Sequence, residues 1–397
     1  MHSSDAIVSL FWIACAVAAS PLVVKVTRGV IPDVVVLLAL GAVIGPSLTG
    51  VADVAGGVEL LREVGLGLLF LIAGSEIDPA TLKSTQGKHA ALTWVFCVLV
   101  GLGVAWVFIP DADFYTSLVL ALAITSTALG ALLPILTDRD LTGSRLGTAV
   151  LTHGAVGELG PILAMALLLG SRSTLVTALV LVAFAAVTIV VAVVPRAAVA
   201  RVPGLRVAIL DGMHGTRQTG MRLIFWLLLT LMAAAAVFEL DVVLGAFAAG
   251  LILRRAQPRG SHFLHERVEV VAWSFLVPVF FVTSGMNVDV QAIAERPLLL
   301  LVFVVMILGV RGGVVMLRER LGGTGSGLTS GNQRIQLGLY SAAGLPIIVA
   351  VTELATSRDL MPQDIAAVLV AAGALTLLVF PLLAQLTAHR AATAAAD

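Results

Sequence analysis

The sequence predicts an all-α polytopic membrane protein of about 13 transmembrane helices, and three observations carry that prediction. Hydrophobic residues make up 59% of the 397-residue chain and charged residues 12%, with a mean hydropathy of +1.05; soluble globular domains are far more polar. Apolar runs of roughly 20 residues, the length a helix needs to cross a bilayer, recur along the whole chain. Lysine and arginine gather on alternate connections between those runs.

The first run starts near residue 5. Lys25 and Arg28 follow it and no basic residue precedes it, which is the pattern of a first helix with its N-terminus outside rather than of a cleaved signal peptide. Further runs start near residues 31, 61, 89, 114, 146, 174, 221, 241, 268, 298, 334 and 363. In this order the inner connections hold Lys25, Arg28, Lys83, Lys88, Arg139 and Arg145. They also hold the stretches from Arg196 to Arg222, Arg254 to Arg267 and Arg318 to Arg334, and Arg390 in the tail. These positions take 19 of the 24 Lys and Arg, against Arg62, Arg172, Arg296 and Arg358 outside and Arg311 within a span. The bias places the C-terminus inside a cytoplasmic membrane and accounts for the basic loops without a nucleic-acid partner.

Connections between the runs are short, so a single membrane domain over 1–397 is expected, with no separate soluble domain. "GGTGSGLTSGN" (322–332) reads as a flexible inner linker. Cys15 and Cys97 lie in apolar runs and read as packing residues; a disulfide framework and a zinc site lack support. No cofactor, and no metal beyond a transported cation, is expected, nor is an enzyme activity.

The chain echoes itself. "FLIAGSEID" (Phe70 to Asp78) matches "FVTSGMNVD" (Phe281 to Asp289) at Phe, Gly and Asp, and "DVVVLLALGAVIG" from Asp33 matches "DVVLGAFAAGLIL" from Asp241 more weakly. An odd number of spans separates the copies, so they run in opposite directions. Inverted repeats mark alternating-access transporters, whose site lies at mid-membrane between the copies. The expected division is repeat 1 at about 29–170, connecting helices at about 171–238 and repeat 2 at about 239–388.

Two spans in corresponding places carry breakers at their middles, "LALAITSTALGALLPIL" and "IQLGLYSAAGLPIIVAV". The first combines Thr125, Ser126 and Thr127 with Gly130 and Pro134; the second combines Ser341 with Gly344 and Pro346. A proline has no N–H, so the carbonyl four residues before it loses its helical partner, here at Gly130 and Ala342. Such backbone persists at membrane depth where it lines a cavity or is buried against protein. Ordinary kinks with Ser/Thr bonds between helices are the bland alternative.

"THGAVGELGPIL" (Thr152 to Leu163) sets Glu158 in an otherwise apolar run, and Pro161 frees the carbonyl of Gly157 beside it. Both are hard oxygen ligands suited to an alkali cation. An isolated ionised carboxylate is costly at this depth, so proton and cation are expected to compete for Glu158. Gly154, Gly157 and Gly160 leave space for a neighbouring backbone. Arg311 needs an anionic or carbonyl partner: Glu158, the carbonyl ends of the broken helices, or water reached by snorkelling. His153, five residues before Glu158, points to another side of the helix and reads as a packing or supporting residue. Glu76 and Glu353, near span ends, read as peripheral, and His214, His262 and His265 as solvated loop residues.

These segments, with "PDVVVLLALGAVIGPS", "VGLGLLFLIAGSEIDP", "LGAFAAGLILRR", "VPVFFVTSGMN" and "SAAGLPIIVAVTELA", resemble the monovalent cation:proton antiporter-2 family, which includes Kef-like potassium efflux proteins and bacterial sodium/proton antiporters. The resemblance implies thirteen helices with two inverted five-helix repeats, two unwound helices crossing at the site, a homodimer, and elevator-like exchange of H⁺ for Na⁺ or K⁺. It implies a paired polar-acidic motif that falls on Gly157 and Glu158. The first member is therefore missing and the acid is longer, and a single carboxylate points to electroneutral exchange. The family's embedded basic residue falls on or near Arg311. A regulatory nucleotide-binding tail is not expected, because the chain ends about nine residues after its last span. The resulting expectation is an antiporter whose ion site comprises Glu158, Gly157, Thr125, Ser126, Thr127 and Gly130, with Arg311 compensating charge and Ser341, Gly344 and Pro346 forming the second break. A ligand-gated potassium conduit and a sodium-coupled organic-solute symporter are the alternatives.

Overall fold

The structure is a computed structural model that describes residues 3–28, 31–108, 113–137, 139–168, 174–201, 218–256 and 263–393. Of the loop residues considered above, Arg172, Arg206, Arg217, Arg259, His214 and His262 lie outside the described residues, as does the side chain of His265. The regular elements among the described residues are all helices, as expected of backbone that must satisfy its own hydrogen bonds in lipid. Helices begin at Ser3, Asp33, Gly57, Thr85, Phe114, Arg145, Thr174, Thr219, Val242, Phe263, Pro297, Gly331 and Gln363. The widest departure from the starts read in sequence is 268 against 263. Eight helical stretches among the described residues are long and apolar enough to cross a membrane.

Local chemistry fixes several helix starts. Asp113 accepts a hydrogen bond from the Thr116 amide at 2.8 Å and so caps the Phe114–Ile124 helix; these bonds hold its carboxyl below the usual range. Asp289 does the same for Ala292 at 3.0 Å, and Pro297 opens the next helix where a missing N–H costs nothing. Ile7, Phe11, Leu22, Leu179, Val182 and Ile189 stand exposed, the outward apolar surface that lipid requires.

The chain forms two compact units. One comprises Met1–Ala55, Pro79–Met165 and Phe281–Asp397; the other comprises Gly56–Asp78 and Ala166–Phe280. In the first unit Gly41 lies against the Val282 carbonyl and Gly285 against the Leu38 carbonyl, with no room for a Cβ at either glycine. In the second unit Gly250 lies against the Leu71 carbonyl and Gly74 against the Phe247 carbonyl, equally tightly. Each unit thus joins a segment of one sequence echo to the partner segment of the other echo, through glycines that let helix backbones touch.

The first unit holds every residue read from the sequence as part of the ion site. Both runs with mid-span breakers are interrupted, into Phe114–Ile124 and Leu129–Thr137, and into Gly331–Ser341 and Leu345–Ser357. The interruptions fall at 125–128 and 342–344. Gly130 therefore lies inside the second half-helix, past the break. Pro346 sits in the first turn of its half-helix, so it starts a helix rather than bending a continuous one.

The 322–332 segment is the clearest departure from the sequence reading. It is built into the first unit, with Thr324, Ser326 and Leu328 buried. Gly322, Gly323, Gly325 and Gly327 all have φ between 67° and 79°, a backbone path that only glycine takes without strain. Glycine richness here buys a specific fold of the loop; it does not mark a loose tether.

Candidate functional site

The two interruptions meet. Ala128 N–H donates to the Ala343 carbonyl at 2.8 Å, joining one break to the other. Ser126 hydroxyl donates to the Ala123 carbonyl at 2.7 Å and reaches the Gly344 carbonyl at 3.3 Å. Gly344 is needed there, since a Cβ on it would stand 2.6 Å from Ser126 Oγ. Thr127 hydroxyl donates to the Ser341 carbonyl at 2.5 Å, and Thr125 hydroxyl donates to the Ala121 carbonyl at 2.7 Å. Each hydroxyl spends its proton on a carbonyl, which leaves oxygen lone pairs as the face it presents to other groups.

The Arg145–Leu168 helix, which carries Glu158, passes beside the first break. Pro161 lies inside it and frees the Gly157 carbonyl as the sequence requires, but that carbonyl is not loose: Thr127 N–H donates to it at 3.0 Å. The proline on one helix thus supplies the acceptor that an interrupted neighbour needs. Glu158 is 3% exposed, next to this junction in the chain.

Arg311 is fully buried, in a π-helical stretch, Ile307–Gly313, of the Pro297–Leu321 span. The wider turn is a common device at functional sites. Its guanidinium donates to Thr127 Oγ1 through Nε at 3.2 Å and Nη2 at 3.1 Å, and to the His153 carbonyl through Nη2 at 2.8 Å. One acceptor, the Thr127 hydroxyl, stands at the first break and the other, the His153 carbonyl, on the acidic helix; full burial rules out snorkelling. Gly157 is where the guanidinium crosses the acidic helix. A Cβ there would lie 2.5 Å from both Arg311 Nη2 and Thr127 Oγ1. Gly160 similarly admits the Trp94 ring, at 2.7 Å from the Cβ position.

His153 is 2% exposed, and its Nε2 lies 3.7 Å from Glu319 Oε1. Glu319, also 2% exposed, escaped the sequence reading because it sits among Arg318 and Arg320 at a span end, where a carboxylate ordinarily meets water. Of the two acids read as peripheral, Glu76 has its Oε2 shut off from solvent, and Glu353 Oε1 accepts from the buried Ser284 hydroxyl at 2.7 Å. That contact attaches Glu353 to the first unit's interior, a closer engagement than a solvated span end.

Comparison with known proteins follows the same lines. Residues 13–387 match the family described as sodium/hydrogen exchanger, transmembrane. Among curated proteins, the chain is 30% identical over 144 residues to the Na(+)/H(+)-K(+) antiporter GerN of Bacillus cereus, covering 35% of this chain and 34% of that protein. It is also 30% identical over 94 residues to the putative Na(+)/H(+) antiporter YjbQ of Bacillus subtilis, covering 24% and 15% respectively. The matched stretches therefore span about a third or less of these relatives. The solved structure of the sodium proton antiporter MjNhaP1 from Methanocaldococcus jannaschii shares the fold, with a TM-score of 0.66 at 18% identity over 95% of this chain and 96% of that one. With a family match running through nearly all of a helical, membrane-spanning fold, the chain belongs to the sodium/hydrogen exchanger family.

Proposed function

We propose that the chain is a secondary active antiporter that exchanges Na⁺ or K⁺ for H⁺ across the cytoplasmic membrane, with its N-terminus outside and its C-terminus inside. The observation that carries this reading is Glu158, a carboxylate 3% exposed on the helix whose Gly157 carbonyl is bonded to the first interruption. A carboxylate so enclosed takes either a proton or a cation, and alternation between the two is antiport. Thr125 and Ser126 offer hydroxyl oxygens at the break, Thr127 and the Gly157 carbonyl hold its geometry, and Gly130 lies in the first turn of the half-helix beyond. Arg311 places a fixed positive charge in the core. Ser341, Gly344 and Pro346 shape the second break.

Exchange of one proton for one monovalent cation follows from there being one acid where the antiporter-2 resemblance has a polar-acidic pair. The volume beside Gly157 is taken by Arg311 and Thr127, which leaves no room for the other polar side chain. The mirrored glycine contacts in the two units support the inverted-repeat reading, in which repeat 1 spans about 29–170 and repeat 2 about 239–388. Assignment to the Kef-like branch and to a homodimer rests on the resemblance. The GerN name supports both Na⁺ and K⁺ as candidate substrates.

The test is cation-dependent proton movement in vesicles from cells lacking their own antiporters, with each alkali salt in turn. The expected outcome is exchange that Glu158→Gln lowers by roughly a hundredfold or more, since the variant cannot release a proton or carry a charge. Exchange by Glu158→Gln at the parental rate removes Glu158 from the mechanism.

A further inference from the structure

Outside the ion site, one buried polar cluster has no part in the exchange reading: Glu319, His153, Thr324 and Ser326. Glu319 lies in the last turns of the Arg311 span, eight residues after the arginine. Its Oε2 accepts from Ser326 Oγ at 2.5 Å and from Thr324 Oγ1 at 2.8 Å, the short, charge-assisted kind of hydrogen bond. Its Oε1 faces His153 Nε2 at 3.7 Å and has no hydrogen-bond partner. The O···O distances within the cluster are too short to cage an alkali cation between the oxygens, so the cluster is a fastening and not a second ion site.

It fastens the 322–330 loop. That loop connects the Arg311 span to Gly331–Ser341, the first half of the second broken helix. Its other anchors lie on the same elements. Arg318 donates to the Gly322 carbonyl at 2.8 Å, Arg334 to the Leu328 carbonyl at 3.1 Å and Arg145, first residue of the acidic helix, to the Gly327 carbonyl at 3.3 Å. His153 on the acidic helix meets Glu319 on one side and, through its carbonyl, Arg311 on the other. One carboxylate therefore stands where the loop, the acidic helix, the Arg311 span and the second broken helix converge.

We propose that the 322–330 loop is a latch over the exchange site, on the side that the charge bias assigns to the cytoplasm, and that Glu319 is the positioning residue that closes it. Glu158 is sealed from solvent with the latch in place. A cation from the loop's side reaches it only after the four elements part, and every bond held by Glu319 adds to the cost of that opening. Loosening the latch raises the population of the open state, so the apparent affinity from that side improves. General damage to the site has the opposite sign. The coupling to transport rests on the antiporter reading; the latch itself does not.

Two variants test it. Glu319→Gln keeps the side chain's size and removes its charge; Thr324→Val with Ser326→Ala touches only the loop. Leu328, 5% exposed, replaced by Cys in a Cys15→Ser background, reports loop opening through maleimide labelling of the detergent-solubilised full chain. Labelling is expected to be at least roughly tenfold faster in each variant, the size of one lost charge-assisted hydrogen bond where two are affected. Combining the variants is expected to add little, because both break the same contacts. In vesicles presenting the loop side, the apparent KM for Na⁺ is expected to fall about threefold to tenfold in both. Labelling at the parental rate in both variants overturns the latch, whether or not exchange is seen. Fast labelling with an unchanged or raised KM overturns its coupling to the site. A parent chain that exchanges no cation overturns the antiporter reading instead, and the labelling then decides the latch alone.

Discussion

A single methyl group measures how tightly the centre of this protein is built. Added at Gly157, it would lie 2.5 Å from both Arg311 Nη2 and Thr127 Oγ1, so Gly157→Ala must push the guanidinium away from its two oxygen partners. We expect a loss of about 1–3 kcal/mol in stability together with impaired exchange, read by thermal unfolding in detergent and by vesicle transport. Arg311→Lys keeps the charge but cannot bridge Thr127 and the His153 carbonyl with one planar fork. Its expected cost is about 3 kcal/mol or more, because an ill-satisfied charge stays buried; an unchanged melting temperature in the lysine variant argues against the bridging role. At this scale the sequence was legible where chemistry is local. Glu158 and Arg311 stand out as charges in apolar runs, and Pro161 points to the Gly157 carbonyl by a fixed four-residue offset. Glu319 was not legible, since nothing in "RERLGG" says that a loop will fold back to bury it.

The helices themselves follow from apolar runs, caps and prolines, and their starts were readable throughout. Their contacts depend on which glycine faces which carbonyl. Gly41 has no room beyond its own hydrogen because the Val282 carbonyl occupies the Cβ position, whereas Gly309 has nothing within 4 Å. Gly41→Val is therefore expected to destabilise the first unit by about 1–3 kcal/mol, and Gly309→Ala to leave the melting temperature unchanged or slightly raised, as Ala favours a helix over Gly. Similar melting temperatures for the two variants would contradict the packing. The broken helices were readable as broken, but the interruption at 125–128 precedes Pro134 by more than a turn. Its place is set by bonds from Thr127 and Ala128 to Gly157 and Ala343, partners distant in sequence.

For the molecule as a whole, exchange at one carboxylate predicts that cation and proton stabilise it at each other's expense. A cation that binds the folded protein at a hundred times its Kd adds about 2.7 kcal/mol. Binding requires the deprotonated acid, so the Na⁺-induced rise in melting temperature should shrink as pH falls and the proton takes Glu158, and grow as pH rises. Glu158→Gln should abolish the Na⁺ effect at every pH. A shift that persists unchanged in that variant would place the stabilising cation elsewhere.

Composition and hydrophobic pattern determined by themselves that this chain is a bundle of membrane-crossing helices, with Glu158 and Arg311 set inside apolar runs. Those properties depend on transfer free energies and on proline's missing N–H, which act along the chain. Only the tertiary structure decided that Arg311 bonds to Thr127 and His153, that the Gly157 carbonyl has a partner, and that a glycine-rich loop closes on Glu319. The Arg311 bonds join segments 158 and 184 residues apart, and even the loop's closure on Glu319, seven residues away at Ser326, depends on packing that no local pattern encodes.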